Sequence, residues 1–177
     1  SFGEATITVQ GLEGNAIYPL IPAIRAQLDA HGEAELIMDL KPDSAVDALE
    51  QRLSGAAWKE RMSALRMDRP TVALFKALTP VQRYLDGRSL PQDVKQLRVP
   101  VKGLRPIEEA ISTVGGIALD EVNDDLSLKK YPHLLVAGEM LDWDAPTGGF
   151  LVQGAFTTGR WAAEAIVRLG KGAQPKS

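Results

Sequence analysis

The chain has 177 residues, with 45% hydrophobic and 24% charged side chains and a formal net charge of −3, an ordinary composition for a folded domain. It contains no cysteine, which excludes disulfides, thiol redox chemistry and cysteine metal sites, so any redox work falls to a cofactor. Two histidines far apart, His31 and His133, offer no metal-ligand pattern, and no apolar run approaches the ~20 residues of a membrane span.

The charge is unevenly spread. Arg52 to Arg105 carries twelve Lys/Arg against four Asp/Glu, and the rest of the chain carries eight against nineteen. Charged helix surfaces are the ordinary explanation. A basic surface for a polyanion such as RNA is the functional one. Ser1 to Gly14 lacks the basic start and apolar run of a signal peptide, so a cytoplasmic location is the default expectation. The first residue is not Met, which suggests a processed chain or a piece of a longer one.

In chain order, Ala5 to Gln10 alternates β-formers and predicts a strand, followed by a tight Gly11–Gly14 turn. Asn15 to Ala30 shows a helical apolar face, with the start placed near Pro19 or Pro22, where a first-turn proline is tolerated, and the end at Gly32. Ala34 to Leu40 predicts a second strand. Asp43 or Ser44 is suited to cap a helix carrying Val46, Leu49 and Leu53, closed by Gly55. Short helices then follow over Trp58–Arg66, Pro70–Leu78, Val81–Leu85 (with Thr79-Pro80 as cap and first turn) and Ser89–Leu97. Together with the helix from Ser44 they predict a small bundle over about residues 43–98. Val99 to Leu104 returns to strand.

Beyond a boundary near Leu104 to Pro106 the chain becomes glycine-rich. A connector with a short helix (Arg105–Ala110) leads to Thr113-Val-Gly-Gly-Ile117, a strand-like Ala118–Val122, a turn at Asn123–Asp125 and an extended Leu126–Lys130. Leu134–Ala137 predicts a short buried strand, Gly138–Gly149 a polar loop, and the remainder a long helix opening on Gly148-Gly149. Such a helix start leaves backbone N–H groups free for a ligand acceptor, and glycines let a flat or anionic group approach them. Acids at the end of a buried strand, Glu139 with Asp142 and Asp144 behind it, suit ribose or ribityl hydroxyls, because α/β sheets bind ligands at that end. A glycine pair alone is usually a turn. The combination is more specific than either part.

TVGGIALDEVN followed by YPHLLVAGEMLDWDAPTGGFLVQGAFTTGRWAA resembles the C-terminal signature of the BaiN/YhiN-like flavoproteins, FAD-dependent oxidoreductases also described as NAD(FAD)-utilising dehydrogenases. The family pattern is T-x-G-G-V/I, a nearby E-V, then A-G-E-x-L-D, T-G-G-Y/F and an A-x-x-x-G helix. Upstream, GEATITVQGLEGNAIYPL and ELIMDLKPD are similar to the opening of the family's inserted domain. The resemblance implies an α+β architecture. A β-barrel-like insert with a helical bundle, residues 1–105, would precede the C-terminal strand–loop–helix part of a Rossmann-like FAD domain, residues 106–177. It also implies FAD as cofactor, NAD(P)H as a possible electron donor, and reduction of an activated C=C bond or a similar small acceptor. By the same resemblance Gly115 and Gly116 form a flavin-side turn, Gly138 and Glu139 the strand-end contact, and Gly148, Gly149 and Phe150 the helix-start contact. Asp142 and Asp144 are weaker members of the set. No catalytic residue and no metal ligand is named.

One departure matters. No G-x-G-x-x-G, the dinucleotide fingerprint, opens the chain. The expectation is therefore an insert plus a C-terminal FAD-binding segment whose partner is an N-terminal segment of the same protein. Alone it should bind FAD weakly or not at all. A non-catalytic module contacting RNA through the basic region is the alternative, and an insert docking a small apolar substrate is a third reading.

Overall fold

The computed structural model describes residues 1–145 and 148–172. The chain forms two compact units. One comprises Ser1–Glu4, Gly14–Pro22 and the chain from Leu104 onward, and the other Ala5–Glu13 and Ala23–Gly103. Mixed helices and small sheets make the fold α+β.

The second unit begins with a hairpin, β1 (Thr6–Ile7) and β2 (Leu12–Glu13), in which Thr8 N–H donates to Gly11 O. The strand predicted over Ala5–Gln10 is cut to two residues, because Thr8 Oγ1 accepts from the Gln10 and Gly11 amides and turns the chain. Helix α1 (Ile21–His31) follows a 3-10 turn at Tyr18–Leu20 and ends before Gly32, whose φ is +74°. The two prolines therefore sit in the first turns, as the sequence indicates.

Strands β3 (Ala34–Met38) and β4 (Leu97–Val101) pair antiparallel, Leu36 opposite Val99. The period of two puts Ala34, Leu36, Leu97 and Val99 on the buried face. On the other face Arg98 and Glu35 form an ion pair at 2.6 Å. β4 starts and ends earlier than the predicted Val99–Leu104, because its register is set by pairing with β3 and not by its own β-propensity.

Between these strands lie five short helices: α2 (Val46–Leu53), α3 (Arg61–Ala64), α4 (Arg69–Leu78), α5 (Val81–Asp86) and α6 (Leu90–Lys95). Their apolar stripes bury Leu49, Phe75, Leu90 and Val94 completely, with Leu65 just past α3. Helices this short hold through such packing, since their nucleation cost exceeds what a few backbone bonds return. α4 is capped by Asp68, whose carboxylate accepts from Thr71 N–H at 2.8 Å. The Thr71 hydroxyl, and after it this N–H, hold the Asp68 carboxyl below the usual carboxylate range. The caps predicted from sequence lie elsewhere and are corrected. Ala45, not Asp43 or Ser44, occupies the N-cap of α2, and Thr79 closes α4 while Pro80 opens α5, with no side-chain bond at either start. The helix predicted over Trp58–Arg66 shrinks to α3, leaving Trp58 about half exposed.

Several cations of the basic stretch are structural. Arg61 donates to Leu85 O at 2.8 Å and to Tyr84 O at 3.3 Å, satisfying carbonyls at the end of α5. Lys95 Nζ donates to Lys41 O and Ser44 O and pairs with Asp39. Arg83 pairs with Asp93 at 2.6 Å, and Arg105 with Glu109 at 2.6 Å.

In the first unit the chain from Leu104 is largely irregular until α7 (Gly148–Gly172). Ala118–Val122, read as strand-like, is a 3-10 turn at Leu119–Glu121. Leu134–Ala137, read as a buried strand, is extended but joins only one bridge, Ser127 to Leu135, and Leu134 is 47% exposed. The reason lies in its neighbour. Leu126 takes φ +67° inside a turn held by Asp125, whose carboxylate accepts from Ser127 N–H and Oγ–H, and this bend breaks the ladder after one pairing. Those bonds also hold the Asp125 carboxyl below its ordinary range. Leu126, Val136, Leu141 and Ala162 form the buried cluster here, with Ile117, Val122, Leu128, Leu135, Ala137 and Trp143 against it.

Candidate functional site

The site is built where the glycine-rich turns meet α7. Gly115 has φ +89° and its N–H donates to Asp142 Oδ1 at 3.0 Å. Gly116 lies directly against the backbone that follows Gly138: a Cβ there would sit 2.6 Å from Met140 O and 2.8 Å from Leu141 C. Around it Ile117 N–H donates to Met140 O at 2.7 Å and Asp142 N–H to Ile117 O at 2.8 Å, a parallel bridge between Ile117 and Leu141. The two predicted blocks, Thr113–Ile117 and Gly138–Asp142, are thus brought together by backbone contact that only glycine permits. Asp142 spends one carboxylate oxygen on that junction.

Gly138 occupies an elbow with φ +66°, and Gly138–Met140 form a single 3-10 turn. Its N–H donates to Thr158 Oγ1 at 2.8 Å, and its carbonyl accepts from Trp143 Nε1 at 3.3 Å. Thr158 Oγ1 in turn donates to Gly154 O at 2.7 Å. The Trp143 ring lies where a Cβ on Gly154 would go, and a Cβ on Gly138 would meet Ala155 Cβ at 3.5 Å. Gly138 therefore docks on α7 through Gly154, Ala155 and Thr158.

Glu139 follows the elbow. It is exposed and, among the described residues, has no hydrogen-bond or ion-pair partner, so both of its oxygens face solvent. Asp144 is also exposed. Gly148, Gly149 and Phe150 form the first turn of α7, with Phe150 60% exposed and nothing within 4 Å of the space a Cβ on Gly148 would take. At the helical rise this turn lies about 10 Å along the axis from Ala155. The helix start predicted from sequence is present. Pro146 and Thr147 of the same loop lie outside the described residues.

Trp143, Gly154 and Thr158 were not singled out by the sequence reading. A signal for two of them was there: Gly154 and Thr158 stand four apart and share a helix face, so a small residue and a hydroxyl meet the same neighbour.

The family model "HI0933-like protein Rossmann domain" matches residues 4–165. The chain belongs to the HI0933-like family. This is the family of FAD-dependent oxidoreductases whose motifs the sequence carries, and the match spans both units. The residues present fit an FAD-type ligand: Glu139 is, among the described residues, an unspent acceptor for hydroxyls, and the start of the 25-residue α7 presents N–H groups beside Gly148, whose approach is open. Among the described residues no helix is long and apolar enough to cross a membrane.

Proposed function

We propose that this HI0933-like chain supplies one side of an FAD site in an oxidoreductase that reduces an activated C=C bond or a comparable small acceptor, with NAD(P)H as electron donor. The observation that carries this reading is Glu139, exposed and without a partner among the described residues, on a backbone elbow that α7 holds in place. When bound, FAD supplies the hydride chemistry. The chain's own residues bind and orient it. Glu139 accepts from ribityl or ribose hydroxyls, the first turn of α7 at Gly148, Gly149 and Phe150 meets the flavin end, and Gly115 and Gly116 shape the adjoining turn. Asp142, tied to Gly115, and Asp144 are at the edge of the site.

The rest of the cofactor is held, in this reading, by a segment of the same protein that carries G-x-G-x-x-G. Support comes from α7. Its buried stripe contains Ala162 and Ala165, yet Val152, Phe156, Ile166 and Val167 form a second apolar stripe that is 55–74% exposed. A helix apolar on two sides is normally covered on both, and a Rossmann sheet with helices on each face supplies that cover. The β3–β4 ribbon then belongs to the barrel-like insert on the substrate side. The test is flavin absorbance after purification, on this chain alone and on the chain joined to its G-x-G-x-x-G segment. Stoichiometric flavin only in the joined protein supports the reading. Stoichiometric flavin on the chain alone removes the shared site, and none in either removes FAD.

A second reading concerns the α2–β4 region. Arg52, Arg66, Arg69 and Lys102 have no carboxylate partner among the described residues, while Lys59 and Lys76 lie 5.4 Å from the Trp58 and Tyr84 ring centres. Cations without carboxylate partners among the described residues, together with lysines beside aromatic rings, suit a single-stranded RNA. Binding that weakens steeply with salt supports this; no binding at low salt removes it.

A further inference from the structure

We propose that Thr158 and Trp143 are positioning residues that aim Glu139 at a hydroxyl-bearing ligand, an inference that rests on the FAD reading above. The Gly138 N–H belongs to the peptide before its Cα and the Gly138 carbonyl to the peptide after it. Thr158 holds the first at 2.8 Å, and the second is held by the Leu141 N–H of the 3-10 turn at 3.2 Å together with Trp143 at 3.3 Å. A side chain therefore bonds to each plane flanking a left-handed residue, the second sharing its carbonyl with the turn's own backbone bond, and that second plane carries the Glu139 amide. The hydroxyl of Thr158 cannot rotate away, because its own proton is committed to Gly154 O at 2.7 Å, which leaves a lone pair facing Gly138. The indole is fixed as well, since it occupies the space over Gly154 that any side chain would fill.

A glycine at φ +66° is otherwise the freest point of the loop. With both its peptides held, the cost of ordering the Glu139 backbone falls on folding and not on ligand binding, which is the source of affinity in a preorganised site. Neither Thr158 nor Trp143 need touch the ligand.

The experiment uses the chain joined to its G-x-G-x-x-G segment, with FAD as the probe. Thr158→Val, Thr158→Ser, Trp143→Phe and Glu139→Gln are compared by FAD titration, by exchange of the Gly138 and Glu139 amides without FAD, and by thermal unfolding. Thr158→Val should weaken FAD about fivefold to tenfold, the equivalent of one net hydrogen bond, and speed Gly138 exchange. Thr158→Ser should restore both, and Trp143→Phe should show a smaller loss. The double variant Thr158→Val/Glu139→Gln should bind no more weakly than Glu139→Gln alone, because one residue acts through the other. Unchanged affinity in Thr158→Val, or additive losses in the double variant, overturns the positioning role while Glu139→Gln still reports the FAD site. Failure of the joined wild-type protein to bind FAD overturns both.

Discussion

Replacing Gly116 by alanine probes the junction on which the site depends. No positive φ complicates the position, so the cost is steric. The added Cβ would stand 2.6 Å from Met140 O and 2.9 Å from Leu141 O, and both obstacles are backbone. Restoring ordinary contact needs the 140–142 segment to retreat by roughly 0.8 Å, enough to forfeit a large part of the local dispersion contacts. The same movement stretches three hydrogen bonds now at 2.7, 2.8 and 3.0 Å beyond useful length. At about 1 kcal/mol net each the loss is about 3 kcal/mol, offset by about 0.4–1 kcal/mol from the stiffer unfolded chain. The expected net destabilisation is about 2 kcal/mol. Gly148→Ala is the matched control, since a Cβ there meets nothing within 4 Å. It should leave stability unchanged or slightly raised and lower only FAD affinity. The assay is denaturant unfolding together with amide exchange at Ile117 and Asp142, which should quicken by about tenfold to thirtyfold in Gly116→Ala. If Gly116→Ala unfolds within about 0.5 kcal/mol of wild type and protects both amides equally, the close-approach argument is wrong.

Phe75 is completely buried in the second unit, and Phe75→Ala should cost about 3–5 kcal/mol, read as a fall in the denaturant midpoint. Asp68→Ala should cost about 1 kcal/mol at neutral pH through loss of the α4 cap. Because the folded Asp68 carboxyl titrates below its unfolded value, the ionised cap's contribution is fully present above about pH 4 and fades as pH falls through the folded value. The gap between wild type and variant should therefore narrow on acidification, and a gap that widens would refute that sign.

The sequence alone determined the order of elements, the five short helices between β3 and β4, the start of α7 on a glycine pair and the membership in a flavoprotein family. Those features are local: turn residues, helical spacing and motif order are written in neighbouring positions. The register of β3 against β4, the failure of Leu134–Ala137 to become a ladder strand and the bracing of Gly138 were decided by tertiary structure. Each depends on residues remote in sequence, as Gly116 needs the backbone of Met140 and Leu141, and Gly138 needs Thr158 twenty positions away. Asp142 shows the difference most clearly. Its type and position made it a ligand acceptor on paper, and the fold turned one of its oxygens toward the Gly115 amide. Glu139, one residue past the elbow, kept both oxygens free because no described residue reaches them.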